Sequence, residues 1–104
     1  MSTIPYDDFI DIHDTISGIK ALAFRLNNEL GYTSISPFEE ELTGTLEKLY
    51  KYAPDQFFIE VAENIIQSSG SSNRAERVLI KTYKLEPGKA CEIVNKAWEA
   101  FNGR

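Results

Sequence analysis

Residues 9–30, FIDIHDTISGIKALAFRLNNEL, decide the fold class of this chain. Side chains three and four positions apart lie on one face of an α-helix, and the apolar residues of this stretch follow that spacing. They are Phe9, Ile12, Ile16, Ile19, Ala23, Leu26 and Leu30. The stretch predicts an amphipathic helix from about Pro5 to Leu30, which ends at Gly31 because glycine readily adopts the left-handed conformation of a helix C-terminus. We expect its apolar stripe to pack against the other helices.

Four further helices are predicted from their start and stop residues. Ser36-Pro37-Phe38-Glu39 is a capping box that begins the second helix, and Pro54 ends it. The third runs from Pro54 to about Gln67 and is followed by a loop over 68–72. Asn73-Arg74-Ala75-Glu76 repeats the capping pattern and begins the fourth helix, which runs to about Leu85. The fifth runs from Lys89 to Asn102, before Gly103. No segment alternates like a strand, so we expect an all-α fold: a compact single-domain bundle of about five amphipathic helices over residues 1–104.

Each later helix has its own predicted apolar face. The second buries Phe38, Leu42, Leu46, Leu49 and Ala53, and the third buries Phe57 or Phe58, Val61, Ala62 and Ile65. On the fifth, one face holds Ala90, Ile93, Val94, Ala97, Trp98 and Phe101.

Composition limits the class of protein. The chain has 104 residues and one cysteine, so an intrachain disulfide is excluded and a reducing compartment is the default. The N-terminus lacks the basic and apolar regions of a signal peptide, and no apolar run has the length of a membrane span. We expect a cytoplasmic protein that does not associate with membranes.

The net charge of −5 is unevenly distributed. Residues 1–63 hold twelve acids and four bases, a charge of −8, whereas residues 64–104 hold four acids and seven bases, a charge of +3. An acidic surface repels nucleic acid and attracts basic proteins. The alternative is a solvated acidic face that only keeps the protein soluble.

The acids of the first helices and two tyrosines predict a continuous negative surface for a basic protein partner. Tyrosines within a charged surface are typical of binding hot spots, although they could equally line the edge of the core with wet hydroxyls. The candidate partner-binding residues are Asp7, Asp11, Asp14, Glu39, Glu40, Glu41, Glu47, Tyr50, Tyr52 and Asp55.

The sequence offers little for catalysis. His13 and Cys91 are the only histidine and cysteine, and we expect Cys91 at the edge of an apolar face, where a thiol is inert. Asp7, Asp11 and Asp14 share a helix face, but His13 points away from it, so no zinc site is predicted. There is no phosphate-binding loop and no nucleophile motif. We therefore expect a non-enzymatic protein without metal or cofactor.

Two alternatives to the binding of a basic protein partner remain. One is a helical adaptor or regulatory domain, homodimeric through leftover apolar residues such as Ile10 and Phe24. The other is nucleic-acid binding through a basic row on the fourth helix, Arg74, Arg77, Lys81 and Lys84.

A small, acidic, all-helical chain without catalytic residues resembles bacterial immunity proteins, both those of contact-dependent growth inhibition and those that neutralise colicin-type nucleases. The segment 94–103, VNKAWEAFNG, is similar to the final helix of the colicin-immunity family when a two-residue gap is allowed. Tyr50-Lys51-Tyr52 departs from that family's adjacent tyrosine pair followed by proline. The resemblance implies an inhibitor that masks the substrate groove of a basic toxin, most simply a nuclease.

Overall fold

The structure is a computed structural model that describes residues 3–31 and 37–102; of Pro37 and Phe38 it describes the backbone alone. Within these ranges there are five α-helices, one 3-10 turn and no strand, so the all-α prediction is confirmed. The elements are α1 (Tyr6–Glu29), α2 (Pro37–Leu49), the 3-10 turn Tyr50–Tyr52, α3 (Asp55–Ser69), α4 (Ser72–Lys81) and α5 (Pro87–Asn102). The predicted Ser36 cap, the burial of Phe38 and the helix end at Gly103 lie outside the described residues.

The helices form two compact units, Met1–Tyr52 and Ala53–Arg104, each of which is described by itself. The first unit holds nine acids and four bases, a net charge of −5, and the second holds seven of each. The whole net charge of the protein therefore belongs to the first unit. The prediction of a single domain stays a prediction.

In the first unit, α1 packs against α2. Pro5 precedes the first turn of α1, and Asp7 and Asp8 lie in that turn, where carboxylates stabilise the positive end of the helix dipole. The helix continues through Gly18 and ends before Gly31, whose φ of 80° gives the left-handed exit predicted for it. The Ile4 N–H donates a hydrogen bond of 2.8 Å to the Tyr52 carbonyl, which joins the start of the chain to the 3-10 turn.

The stripe predicted for α1 is only partly buried. Phe9 and Ala23 are buried and Ile16 is half-buried, but the other apolar residues of the stripe are exposed: Ile12, Ile19, Leu26 and Leu30. α2 is a single helix about half as long as α1, so it covers only part of the stripe. The apolar side chains that it does not reach stay exposed. The prediction that the whole stripe is packed was therefore wrong.

The second helix and its turn follow the prediction more closely. Leu46 and Ala53 are buried, and Leu42 and Leu49 are half-buried. The α-helical geometry stops at Leu49, and the last turn before Pro54 tightens into a 3-10 turn. Pro54 disfavours the α conformation at Ala53, so the helix has to end before it, and a last turn with 3-10 geometry is common at helix ends.

In the second unit, α3, α4 and α5 each pack against the other two. Phe57 and Phe58 are both buried, and each meets the Tyr83 ring edge-on, with centroids 5.7 and 5.9 Å away. Burial raises the pKa of the Tyr83 phenol, so the folded unit favours the neutral phenol. The predicted face of α5 is buried at Ala90, Ile93, Val94 and Ala97.

Two predictions about the core of the second unit were wrong. Trp98 is exposed and stacks on the half-buried Phe101, with ring centroids 6.0 Å apart. On α3, Ile66 is buried, whereas Val61 and Ile65 are only half-buried. The buried side of α3 is thus rotated slightly from the predicted one, because two neighbouring helices define it together.

The junction of α3 and α4 is shorter than the predicted serine-rich loop. The third helix continues to Ser69, Gly70 adopts a φ of 70°, and α4 begins at Ser72. The Ser71 hydroxyl accepts a hydrogen bond of 3.1 Å from the Arg74 N–H, so Ser71 is the N-cap and the prediction of Asn73 was wrong. A left-handed glycine followed at once by a capping serine lets two helices join through two residues.

The fourth helix ends at Lys81, four residues before the predicted end. Lys84 has a φ of 61°, and the Leu85 N–H donates to the Leu79 carbonyl over 3.1 Å. A left-handed residue redirects the chain after a helix, and α5 begins three residues further on, at Pro87.

Lys84→Gly is expected to stabilise the second unit by about 0.5–1 kcal/mol, because a left-handed conformation is strained for a residue with a Cβ and not for glycine. Arg77→Gly, an exposed change within α4, is the matched control and is expected to cost about 1 kcal/mol. Urea unfolding followed by circular dichroism measures both. Destabilisation of similar size by the two glycines would contradict the assignment of Lys84.

Candidate protein-binding surface

One side of α1 faces α2. The Asn27 side-chain amide donates a hydrogen bond to the Glu39 carboxylate over 2.5 Å, and the His13 ring lies 6.1 Å from the Tyr50 ring. His13, Lys20 and Asn27 are all half-buried and follow one another at spacings of seven residues. These residues define the inner side of α1.

Glu39 is 5% exposed and belongs to this inner side of the first unit. Its position at the start of α2 directs the carboxylate toward Asn27, because α1 runs directly beside it. The expectation that Glu39 forms part of an exposed acidic surface was therefore wrong.

Asp7, Asp11 and Asp14 lie roughly opposite the inner side of α1 and are all exposed. We call them the acidic row. Asp14 approaches the His13 ring nitrogen to 3.3 Å, while Asp7 and Asp11 make no ion pair with any residue in the described ranges. The structure thus brings together the three aspartates of the prediction on one open helix face.

The acids of α2 do not join that row. Glu40, Glu41 and Glu47 are exposed, and Glu40 and Glu47 share one face of α2 at a spacing of seven. The acidic row lies on the far side of α1 from α2, so side chains of α2 do not extend that row. The continuous negative surface that was expected is divided, within the first unit, into separate groups of acids.

The two tyrosines have different environments. Tyr50 is half-buried beside His13, and Tyr52 is exposed. Tyr50 thus fits the edge-of-core alternative better, and Tyr52 offers the more open surface. Their role in partner binding stays a prediction.

Asp55 begins α3 in the second unit, and its carboxylate forms an ion pair of 3.0 Å with the Lys89 ammonium of α5. Both side chains are partly exposed. An acid paired with a base contributes less to the attraction of a basic partner, since the two fields partly cancel. Asp55 therefore fits a structural role better than a recognition role.

Exposed apolar residues along α1 were not recognised as a surface from the sequence. Ile12, Ile19, Leu22 and Leu26 have 42%, 41%, 53% and 47% of their surface exposed, and we call them the apolar row. The signal was present: apolar residues at alternating spacings of three and four form a heptad pattern, which is typical of a helix that packs against another helix along its whole length. A contiguous exposed apolar surface marks a site of protein interaction.

The basic row of α4 is exposed at Arg74, Arg77 and Lys81, which border a surface depression of about 400 Å³ together with Val78 and Thr82. Lys84 lies beyond the end of the helix. Three of the four predicted bases therefore share the helix. Nucleic-acid binding by them stays a prediction.

The residues considered for catalysis lie in separate units. His13 is half-buried, with its ring 5.9 Å from that of Phe9. Cys91 is exposed, so its thiol lacks the apolar cover that was expected to make it inert. Within the described residues, no group of three or more histidine, cysteine, aspartate or glutamate side chains is arranged to hold a metal ion.

None of the helices in the described ranges combines the length and the apolar character that crossing a bilayer requires. Comparisons with protein-family models, with curated proteins and with solved structures find no match to this chain.

Proposed function

We propose that this protein is a non-enzymatic inhibitor of the immunity-protein type, which binds a basic toxin domain, most simply a nuclease, through the outer side of α1. The observation that carries the proposal is the acidic row, three exposed aspartates on one face of a helix that belongs to a unit with a net charge of −5. Within this proposal the protein acts in the bacterial cytoplasm and needs no cofactor.

Acidic and apolar residues on α1 would have different tasks. Carboxylates attract a basic partner over a distance and reject partners of the same charge. Exposed apolar side chains supply the desolvated contacts that hold a complex together. Asp11 and Leu22 lie about 20° apart around the helix axis, so the acidic row borders the apolar row and one partner can contact both.

The proposed surface is narrower than the one expected from the sequence. It keeps Asp7, Asp11 and Asp14 and omits Glu39 and Asp55, which have partners inside their own units. Glu40, Glu41 and Glu47 form a separate group, which supplies the control for the experiment.

Asp7→Asn combined with Asp14→Asn is expected to slow association with the toxin at least about 10-fold at low ionic strength, because the steering charges are removed. The matched control, Glu40→Gln with Glu47→Gln, removes the same charge from α2 and is expected to change the rate less than about 3-fold. If the neighbouring reading frame encodes a secreted protein with a basic C-terminal domain, that domain is the toxin to use, with the association rate measured by surface plasmon resonance and protection measured as growth on co-expression. A toxin that stays active in the presence of the wild-type chain would refute the proposal, and equal effects of the two double variants would refute the assigned surface.

The adaptor alternative also has an observation in its favour, the apolar row of α1. Of the residues first suggested for a dimer contact, Phe24 is exposed and Ile10 is half-buried. Both lie outside the apolar row, so a dimer would use a different side of α1 from the one expected.

A further inference from the structure

The apolar row has the register of a helix–helix contact. Ile12, Ile19 and Leu26 are spaced by seven residues and therefore occupy one heptad position, and Leu22 lies beside them. From Ile12 to Leu26 the row extends about 21 Å along α1, the length of a contact between two helices of about four turns. Its shape is thus a narrow stripe suited to another helix.

Charges beside the apolar row favour one direction for that helix. Asp11 and Arg25 are exposed and occupy equivalent heptad positions, seven residues on either side of Gly18. An antiparallel copy of α1 would place Asp11 of each copy opposite Arg25 of the other, whereas a parallel copy would place like charges together. Asp8 and Glu29 lie at the two ends of the row and give neither direction an advantage.

Gly18 favours the same arrangement. It is exposed on α1 between Asp11 and Arg25, and no heavy atom lies within 4 Å of the position where a Cβ would stand. In an antiparallel pair centred there, Gly18 of one copy lies opposite Gly18 of the other beside the apolar row, where no side chain keeps the two helices apart. In this register position 12 lies opposite position 24, so Ile12 comes within two residues of Leu26 of the other copy, about 3 Å along the helix, and Ile19 lies one residue from the two-fold axis.

We propose that, in the absence of a toxin, a second copy of this chain covers the apolar row in an antiparallel α1–α1 homodimer. The interface is isologous, so each contact between two different residues occurs twice and the assembly closes at two copies. The inference concerns the free protein and does not depend on the inhibitor function. Its experiments need no toxin and can fail while the inhibitor proposal stands.

Sedimentation equilibrium tests the dimer itself. The wild type is expected to dimerise at micromolar concentration, and Ile19→Glu is expected to raise the dissociation constant at least about 100-fold, because two carboxylates would meet near the two-fold axis. Phe24→Glu adds the same charge to another exposed side of α1 and is expected to leave the dimer intact. Circular dichroism checks that both variants remain helical. A wild type that is monomeric up to about 1 mM overturns the proposal and leaves the toxin of the inhibitor proposal as the occupant of the apolar row.

Cysteine cross-linking tests the direction of the helices in a Cys91→Ser background. In an antiparallel dimer, a mixture of the Ile12→Cys and Leu26→Cys proteins forms a disulfide cross-link on oxidation. Neither variant cross-links when it is oxidised alone, because a disulfide requires Cα atoms within about 7 Å. Cross-linking of each variant with itself would show a parallel pair and overturn the proposal.

Charge exchange tests the register. Asp11→Arg and Arg25→Asp are each expected to weaken the dimer about 3- to 10-fold, and the double variant is expected to recover most of that loss. If the double variant loses as much dimer affinity as the two single variants together, Asp11 and Arg25 do not meet.

Discussion

Phe58→Ala is expected to destabilise the second unit by about 3–5 kcal/mol, the range measured for phenylalanine truncations in tightly packed cores. Phe58 is 2% exposed and its ring contacts the rings of Phe57 and Tyr83 with centroids 5.4 and 5.9 Å away. Removal of the ring loses its burial and both aromatic contacts and leaves a cavity between helices that cannot collapse fully.

Urea unfolding followed by far-ultraviolet circular dichroism measures this loss. Phe24→Ala is the matched control, because it makes the same chemical change at an exposed site and is expected to alter stability by less than about 0.5 kcal/mol. If Phe58→Ala were as mild as Phe24→Ala, the aromatic cluster could not be the centre of the core.

A second large effect is expected from Ala97→Asp, which should cost at least about 3 kcal/mol and leave much of the second unit unfolded. Ala97 is completely buried on the side of α5 that packs in the core. A carboxylate placed there must either lose its hydration or take up a proton, and both cost free energy.

Ala100→Asp provides the control three residues further along the same helix. Ala100 is exposed, so the new carboxylate keeps its hydration, and both substitutions place the same charge near the same helix end. The fluorescence of Trp98, the only tryptophan, reports on the second unit during unfolding. Similar midpoints for the two aspartates would show that the covered side of α5 has been misassigned.

The positions of the helices could be predicted because their ends depend on local chemistry. Proline stands at or next to the start of α1, α3 and α5, and Gly31 forms the predicted left-handed exit. Errors occurred where two local signals competed. The serines of 68–72 suggested a loop, but each end of that segment extends a neighbouring helix. Only Gly70 and Ser71 lie outside the two helices.

The candidate surface was predicted in part, for a physical reason. Asp7, Asp11 and Asp14 share a face because of helix periodicity, which the sequence contains. Whether an acid is open or enclosed depends on distant residues: Glu39 meets Asn27, twelve positions away, and Asp55 meets Lys89, thirty-four positions away. Helix periodicity shows that side chains are grouped, and tertiary contacts decide which group faces solvent.

Four alanines, one on α4, one on α3 and two on α5, are completely enclosed in the second unit: Ala62, Ala75, Ala90 and Ala97. A longer side chain at a completely buried alanine overpacks the core, which costs about 1–3 kcal/mol. Divergence at these positions is thus expected to be restricted to alanine, glycine or serine, whereas the exposed outer side of α1 carries no such packing constraint. Distant relatives of this chain should be recognisable by that pattern of small residues long after their surfaces have lost all similarity.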